Sequence, residues 1–502
     1  MNQNEYEFLV VGGGTAGVVT AACLARTGQV RVALLEAGPP DRENQLVLDF
    51  RRWMELLDSP LVRNYPIVQQ PVGNSRILHS RAYVLGGCSS HNSVIAFIPP
   101  AADFHHWERL GAMGWGPNSV RPYYERVLEH VYLMQVPDKS QCSEAFIDAA
   151  TNLGFPHVDF LRSWDGDDAV GWLWLNAHGT TRMSSSVAYL HSHSTKPPNL
   201  DIYTDTVAYA LIIDSNGECQ GVKTTRGDFF ASIETVLACG AFDTPKLLML
   251  SGIGPADHLQ ELGLPVLLDL PGVGQNLLDH IEGIVIWESQ RPIPYGITQG
   301  WEAALFTRLD QRSPWPELMI HFGIIPFDMH TRAVGYPTPL HGFSMTPNVT
   351  HPKSRGSIRL SSLHPEAPPL IDPQYFTDPE GHDLHLLVEG IRLARQIANQ
   401  EPLRSWISRE VAPGEHVVRD DELAQYIART ANTVYHPAGT CRMGAADDPL
   451  AVVDPQLRVL GIKRLRIADA SIFPDMITVN PCLTCMMIGE RCADYLIREH
   501  LS

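Results

Sequence analysis

The 502-residue chain has little of what would tie it to a membrane, a nucleic acid or an oxidising compartment. No apolar run approaches the roughly 20 residues that cross a bilayer, so no membrane partner is expected. The start, Met1 to Phe8, is polar and acidic and lacks the basic and apolar regions of a secretory leader. Positive charge is in deficit: the formal net charge is −18, against the basic patch that nucleic-acid binding needs. Such a charge favours solubility and is compatible with a cationic small molecule. Nine cysteines at irregular spacing give no disulfide framework. Cys482 and Cys485 form a single Cys-x-x-Cys without a second pair to complete a zinc site, so they are read as small buried residues and no metal is expected. Gly and Pro are plentiful but dispersed, and no internal repeat is evident. With these absences the expectation is a cytoplasmic globular protein large enough for two to four structural domains.

The first element present is a dinucleotide fingerprint. Phe8–Val11 is a short apolar run suited to a buried parallel strand, and it leads into Gly12-Gly-Gly-Thr-Ala-Gly17. A helix is expected from Val18 to Arg26, then a strand from Val30 to Leu35 that ends at Glu36. Gly12 serves the tight turn, Gly14 the approach of backbone to a pyrophosphate and Gly17 the packing of helix on strand. The helix N-terminus supplies partial positive charge, and Glu36 is placed to accept hydrogen bonds from a ribose. This much implies a dinucleotide and leaves FAD and NAD open.

Further segments narrow the choice. Gly86-Gly-Cys-Ser-Ser-His-Asn-Ser93 is a glycine-rich turn that carries His91, and Gly240 to Gly254 follows the strand-like Glu234 to Ala238. Asn432 to Gly444 encloses His436, and Leu465 to Ala470 is again strand-like. Val479-Asn480-Pro481 opens a last helix. In this order the segments resemble the glucose–methanol–choline (GMC) oxidoreductase family along essentially the whole chain. The resemblance implies FAD and an α/β (α+β) fold. In it a Rossmann-like FAD-binding domain (1–140, 186–281 and 431–502) is interleaved with a substrate domain (141–185 and 282–430) built on an antiparallel sheet with helices. It also implies that Gly12, Gly14, Gly17, Glu36, Gly87, His91, Asn92, Val207, Asp469, Ala470, Asn480 and Pro481 hold the cofactor, with His91 its covalent tether.

Oxidation of an alcohol by a flavin needs a base near the hydroxyl and a partner for the developing alkoxide. The resemblance places these roles on His436, Asn480, His321 and Ser93. Within the family it is greatest to choline-oxidising members, over Arg52–Leu57, Gly86–Phe97, Pro326–Met329, Thr346–His351, Thr377–Asp383 and Asn432–Gly444. It implies a cation cage of Glu282, Trp53, Trp301 and Tyr435. A quaternary ammonium has no N–H to donate, so charge and aromatic faces alone recognise it. The expected reaction takes choline through betaine aldehyde to glycine betaine, with O2 reduced to hydrogen peroxide in a homodimeric enzyme. The alternatives are an oxidase of another primary alcohol, a choline dehydrogenase, which generally lacks a histidine at position 91, and a redox-silent lyase on the same fold. Two departures from the family pattern stand out: the insertion usual after Tyr123-Tyr124 is missing, and Cys482 and Cys485 follow Asn480 and Pro481 where other residues are usual.

Overall fold

The apolar run at the start of the chain forms the strand Glu5–Val11 in the computed structural model, which describes residues 4–191 and 197–501. It lies at the centre of a seven-stranded sheet, parallel to Val32–Leu35 on one side and to Gly227–Leu237 on the other. Leu200–Tyr203 extends the sheet beyond Val32–Leu35, and Leu465–Ile467 adds a further parallel strand against Gly227–Leu237. The strands Cys219–Thr224 and Ala208–Ile213 close that flank antiparallel. Strands buried on both faces read as continuous apolar runs, which is how Phe8–Val11 declares itself.

The helix Thr15–Arg26 starts earlier than the apolar pattern predicts because Thr15, Ala16 and Gly17 are small enough to coil at the glycine turn. It packs against the C-terminal helix Cys482–His500. The two approach so closely that a Cβ on Gly489 would lie 2.6 Å from the Ala16 carbonyl oxygen. Both helices therefore present their N-termini to one region, with Gly14 at one and Pro481 at the other. The helix Pro117–His130 runs on unbroken past Tyr124.

A second, antiparallel sheet runs in the order Ile407–Ala412, Val285–Ser289, Gly342–Val349, Leu318–Gly323, Trp301–Thr307 and Ala169–Trp172. The helices His382–Ala398 and Gln141–Asn152 cover it. A Cβ on Gly390 would reach within 2.6 Å of the Pro347 ring, so the helix rests on that ring with no room for a side chain at position 390. The short pair Ile281–Glu282 and Asn432–Thr433 joins this sheet beside Asn348 and lies where the chain passes between the two sheets. Among the described residues no helix is long and apolar enough to cross a membrane.

Candidate active site

One cavity of about 350 Å³ runs between the two sheets, lined at one end by Gly12, Gly14 and Glu36 and at the other by Glu282, Trp301 and His436. Its first end suits a dinucleotide. A Cβ on Gly12 would lie 2.4 Å from the Ala238 carbonyl oxygen, and one on Gly17 2.0 Å from that of Gly12. Gly17 does not line the cavity; it lets the helix sit on the turn. The first turn of that helix has no capping side chain, which leaves its N–H groups for an anion. The Glu36 carboxylate accepts the N–H groups of Gly13 (2.8 Å) and Gly38 (2.7 Å), and burial pushes its pKa up to about 7. Gly87 packs on Gly14, so the glycine turn around His91 and the fingerprint form one surface.

Other residues assigned to the cofactor line the same cavity but are already engaged. The Asn92 side chain accepts from Val94 N–H at 3.1 Å and from Arg182 at 2.7 Å. Val207 donates its N–H to the Thr225 hydroxyl and accepts the Thr225 N–H. Asp469 ties the Gly240 turn by accepting its N–H at 2.9 Å and the Thr244 hydroxyl at 2.6 Å. Ala470, Asn480 and Pro481 also line the cavity. Buried His91, its pKa depressed to about 3 by desolvation, donates from Nδ1 to the Cys88 carbonyl at 3.3 Å. A neutral imidazole with its proton on Nδ1 has its lone pair on Nε2. Cys88, Cys482 and Cys485 also line the cavity, so the last two are wall residues as well as helix-start residues.

His436, His321, Asn480 and Ser93 all line the cavity, and Asn480 contacts both histidines. The hydrogen bonds fix the protons on the two histidines. A further histidine, His280, points Nε2 at the carbonyls of Thr350 and Ile477, each at 2.9 Å. Carbonyls only accept, so Nε2 carries the proton, and burial keeps the ring neutral with a pKa near 3. Its Nδ1 therefore accepts from His436 Nδ1 at 2.8 Å, which leaves His436 Nε2 unprotonated. The amide of Asn480 approaches that Nε2 at 3.4 Å. Burial, with His280, His321 and Arg81 nearby, holds His436 well below the usual histidine pKa. His321 has the opposite arrangement: Asn348 donates to its Nδ1 at 3.4 Å, so its Nε2 bears the proton. Among the described residues that N–H makes no hydrogen bond within 3.5 Å; Asn480 is the side chain that favours a proton on the ring, against the burial that lowers its pKa to about 4.

Glu282, Trp53, Trp301 and Tyr435 line the same cavity. Trp53 is fixed by donating its indole N–H to the Gln299 carbonyl at 2.8 Å, and Trp301 is seated over Gly323, where a Cβ would come within 2.7 Å of the ring. Phe327 lies between the two indoles, 5.2 Å from Trp301 and 6.4 Å from Trp53 between centroids. Tyr435 adopts φ +66°, a conformation uncommon outside glycine, held by its N–H to the Thr433 hydroxyl and by Arg81 on its carbonyl. Tyr435 and His436, consecutive in the chain, both line the cavity. Glu282 is 5% exposed and burial pushes its pKa up to about 8, partly offset by Thr346. Among the described residues its neighbour in ion-pair range is His330 at 3.5 Å, itself held neutral by burial with a pKa near 3. The carboxylate thus lacks a cation.

Sequence reasoning missed His280 and Phe327, although the first lies two residues before Glu282 and the second within Pro326–Met329, one of the stretches that carry the resemblance. Family profiles for GMC oxidoreductase match residues 6–282 and 352–489. The chain belongs to the GMC oxidoreductase family. Within it, the chain is 46% identical to choline oxidase from Arthrobacter globiformis over 99% of its own length and 95% of that protein. It is 32% identical to mouse mitochondrial choline dehydrogenase over 100% and 90% of the two chains. Among solved structures, pyridoxine 4-oxidase from Mesorbium loti superposes with a TM-score of 0.90 at 27% identity, covering 99% of this chain and 100% of that one. This GMC oxidoreductase is therefore an FAD-dependent oxidoreductase built from an FAD-binding region and a substrate-binding region.

Proposed function

We propose that this GMC oxidoreductase oxidises choline through betaine aldehyde to glycine betaine, with O2 as the electron acceptor and hydrogen peroxide as the by-product. The observation that carries the reading is Glu282, a buried carboxylate without a cation inside an aromatic box beside an unprotonated histidine nitrogen. Cation–π contacts with Trp53, Trp301, Tyr435 and Phe327 contribute about 0.5–2 kcal/mol each. A carboxylate at about 4 Å adds around 4 kcal/mol at an effective dielectric near 20, before desolvation. Half of that sum, about 3–6 kcal/mol, favours choline over a neutral isostere by about a hundredfold at the least, at about 1.4 kcal/mol per decade.

His436 Nε2 is the acceptor for the hydroxyl proton. His321 Nε2–H, with Asn480 and Ser93, is the donor side that holds the developing alkoxide. FAD, held by Gly12, Gly14, Glu36, Gly87, Asn92, Val207, Asp469, Ala470 and Pro481, takes the hydride when bound. His91 is its covalent tether through Nε2, the nitrogen left free by the Cys88 contact. Betaine aldehyde enters the same cage as its hydrate, whose gem-diol presents a hydroxyl to the same base.

The 46% identity to a choline oxidase, against 32% to a choline dehydrogenase, supports oxygen over another acceptor. Steady-state oxidation of choline and of 3,3-dimethylbutanol, its uncharged carbon isostere, tests the reading. A preference for choline of about a hundredfold in kcat/KM is expected; equal values would discard the cage. Acid precipitation tests the tether, since a covalent flavin stays in the pellet.

A further inference from the structure

A further buried carboxylate lies outside the cavity lining. Asp103, in the helix Ala101–Arg109, is fully buried. Its Oδ2 accepts the Thr478 N–H at 2.8 Å, and its Oδ1 accepts the Thr478 hydroxyl at 2.8 Å and His351 Nε2–H at 3.2 Å. The His351 ring is held flat on Trp315, centroids 4.1 Å apart and planes 21° apart. Thr478 directly follows Ile477, and His351 directly follows Thr350. The carbonyls of Ile477 and Thr350 are the two acceptors of His280 Nε2–H. One carboxylate thus binds two distant segments, in each case one residue beyond a carbonyl that sets the His280 proton.

We propose that Asp103, acting through Thr478 and His351, is a positioning residue that fixes the tautomer of His280 and so keeps His436 Nε2 free to take a proton. If either carbonyl drifts, a proton on His280 Nδ1 becomes competitive. His280 then donates to His436 Nδ1, and the His436 proton moves to Nε2, where it caps the base. Because Asp103, His351 and Thr478 stand outside the cavity lining, the cage for the cation is untouched.

The inference rests on the proposed alcohol oxidation, and its test separates the two. Asp103→Asn and Thr478→Val are compared with Thr478→Ser, which retains the hydroxyl. In the FAD-loaded enzymes, Asp103→Asn and Thr478→Val should lower kcat for choline about tenfold or more. The Kd for tetramethylammonium should stay near wild type, as should kcat in Thr478→Ser. Wild-type kcat in both impaired variants overturns the proposal, as does a parallel loss of tetramethylammonium affinity. In histidine-15N-labelled holoenzyme, with the His436 signals identified by their loss in His436→Ala, both variants should convert Nε2 from the unprotonated to the protonated form. An unchanged tautomer overturns the proposal even where choline is not the substrate, whereas failure of the wild type to oxidise choline overturns only the proposed function.

Discussion

His280 Nδ1 lies 2.8 Å from His436 Nδ1, and with His280 Nε2 committed to two carbonyls this contact can hold its proton on one side only. It makes His436 a base at Nε2 and makes His280 part of the same unit. His436→Ala should lower kcat and kcat/KM together by about 10²–10⁴, the range for loss of a general base. His280→Asn should lower both by a smaller factor while tetramethylammonium binding is retained. Steady-state kinetics with choline and a tetramethylammonium titration check this, and turnover unaffected by His436→Ala would remove the base assignment.

Glu282 predicts an opposition between stability and function. Burial raises its pKa from an ordinary 4.5 to about 8 in the unliganded fold. A carboxyl with a raised folded pKa gives its full relative stabilisation below the unfolded value and loses it as pH rises through the folded one. The loss amounts to roughly 1.4 kcal/mol per pH unit across that window. Glu282→Gln should therefore leave the melting temperature nearly unchanged at pH 4.5 and raise it near pH 8, while weakening tetramethylammonium binding. Binding to the wild type should tighten about tenfold per unit up to pH 8 and release a proton. Calorimetry in buffers of different ionisation enthalpy measures that proton; no release would mean that Glu282 is ionised in the empty site.

What could be read from the sequence followed how local each physical requirement is. The Gly12–Gly17 turn was legible because each glycine answers a contact made within or beside one βαβ unit. Glu282 was legible as a residue, but its want of a cation was not. That depends on His330, Thr346 and Asn432, brought beside it by separate strands and loops. His280 is one of 21 histidines, and nothing at its own position distinguishes it; its role comes from Thr350 and Ile477, far along the chain. Phe327 joined the box because the loop after Leu318–Gly323 folds back between Trp53 and Trp301. The engagement of both backbone groups of Val207 by Thr225 was likewise invisible before the strands were paired.

Cys482 and Cys485 should be inert in the folded protein. Burial pushes Cys482 up to about 12 and Cys485 well above the ordinary thiol range, although both lie on the cavity wall. At pH 8 the thiolate fraction of Cys482 is then about 10⁻⁴, and the thiolate is the nucleophile. Iodoacetamide at pH 8 followed by peptide mapping should find both residues unlabelled in the native enzyme and labelled after unfolding. Rapid native labelling would place them in a more polar environment than burial implies.

Gly87 and Gly28 both have positive φ, +53° and +72°, but only one is crowded. A Cβ on Gly87 would lie 2.6 Å from Gly14 Cα, pressing the turn that carries His91 into the fingerprint, whereas a Cβ on exposed Gly28, away from the cavity, meets nothing within 4 Å. Gly28→Ala therefore costs the left-handed backbone alone, about 1–2 kcal/mol. Gly87→Ala adds a steric conflict between two backbone segments, of about 1–3 kcal/mol, that no side-chain rotation relieves. It should also displace both segments from the bound dinucleotide. The flavin-to-protein absorbance ratio of purified enzyme should stay near wild type in Gly28→Ala and fall markedly in Gly87→Ala. Equal flavin content in the two variants would mean that the Gly14–Gly87 contact does not shape the cofactor end of the cavity.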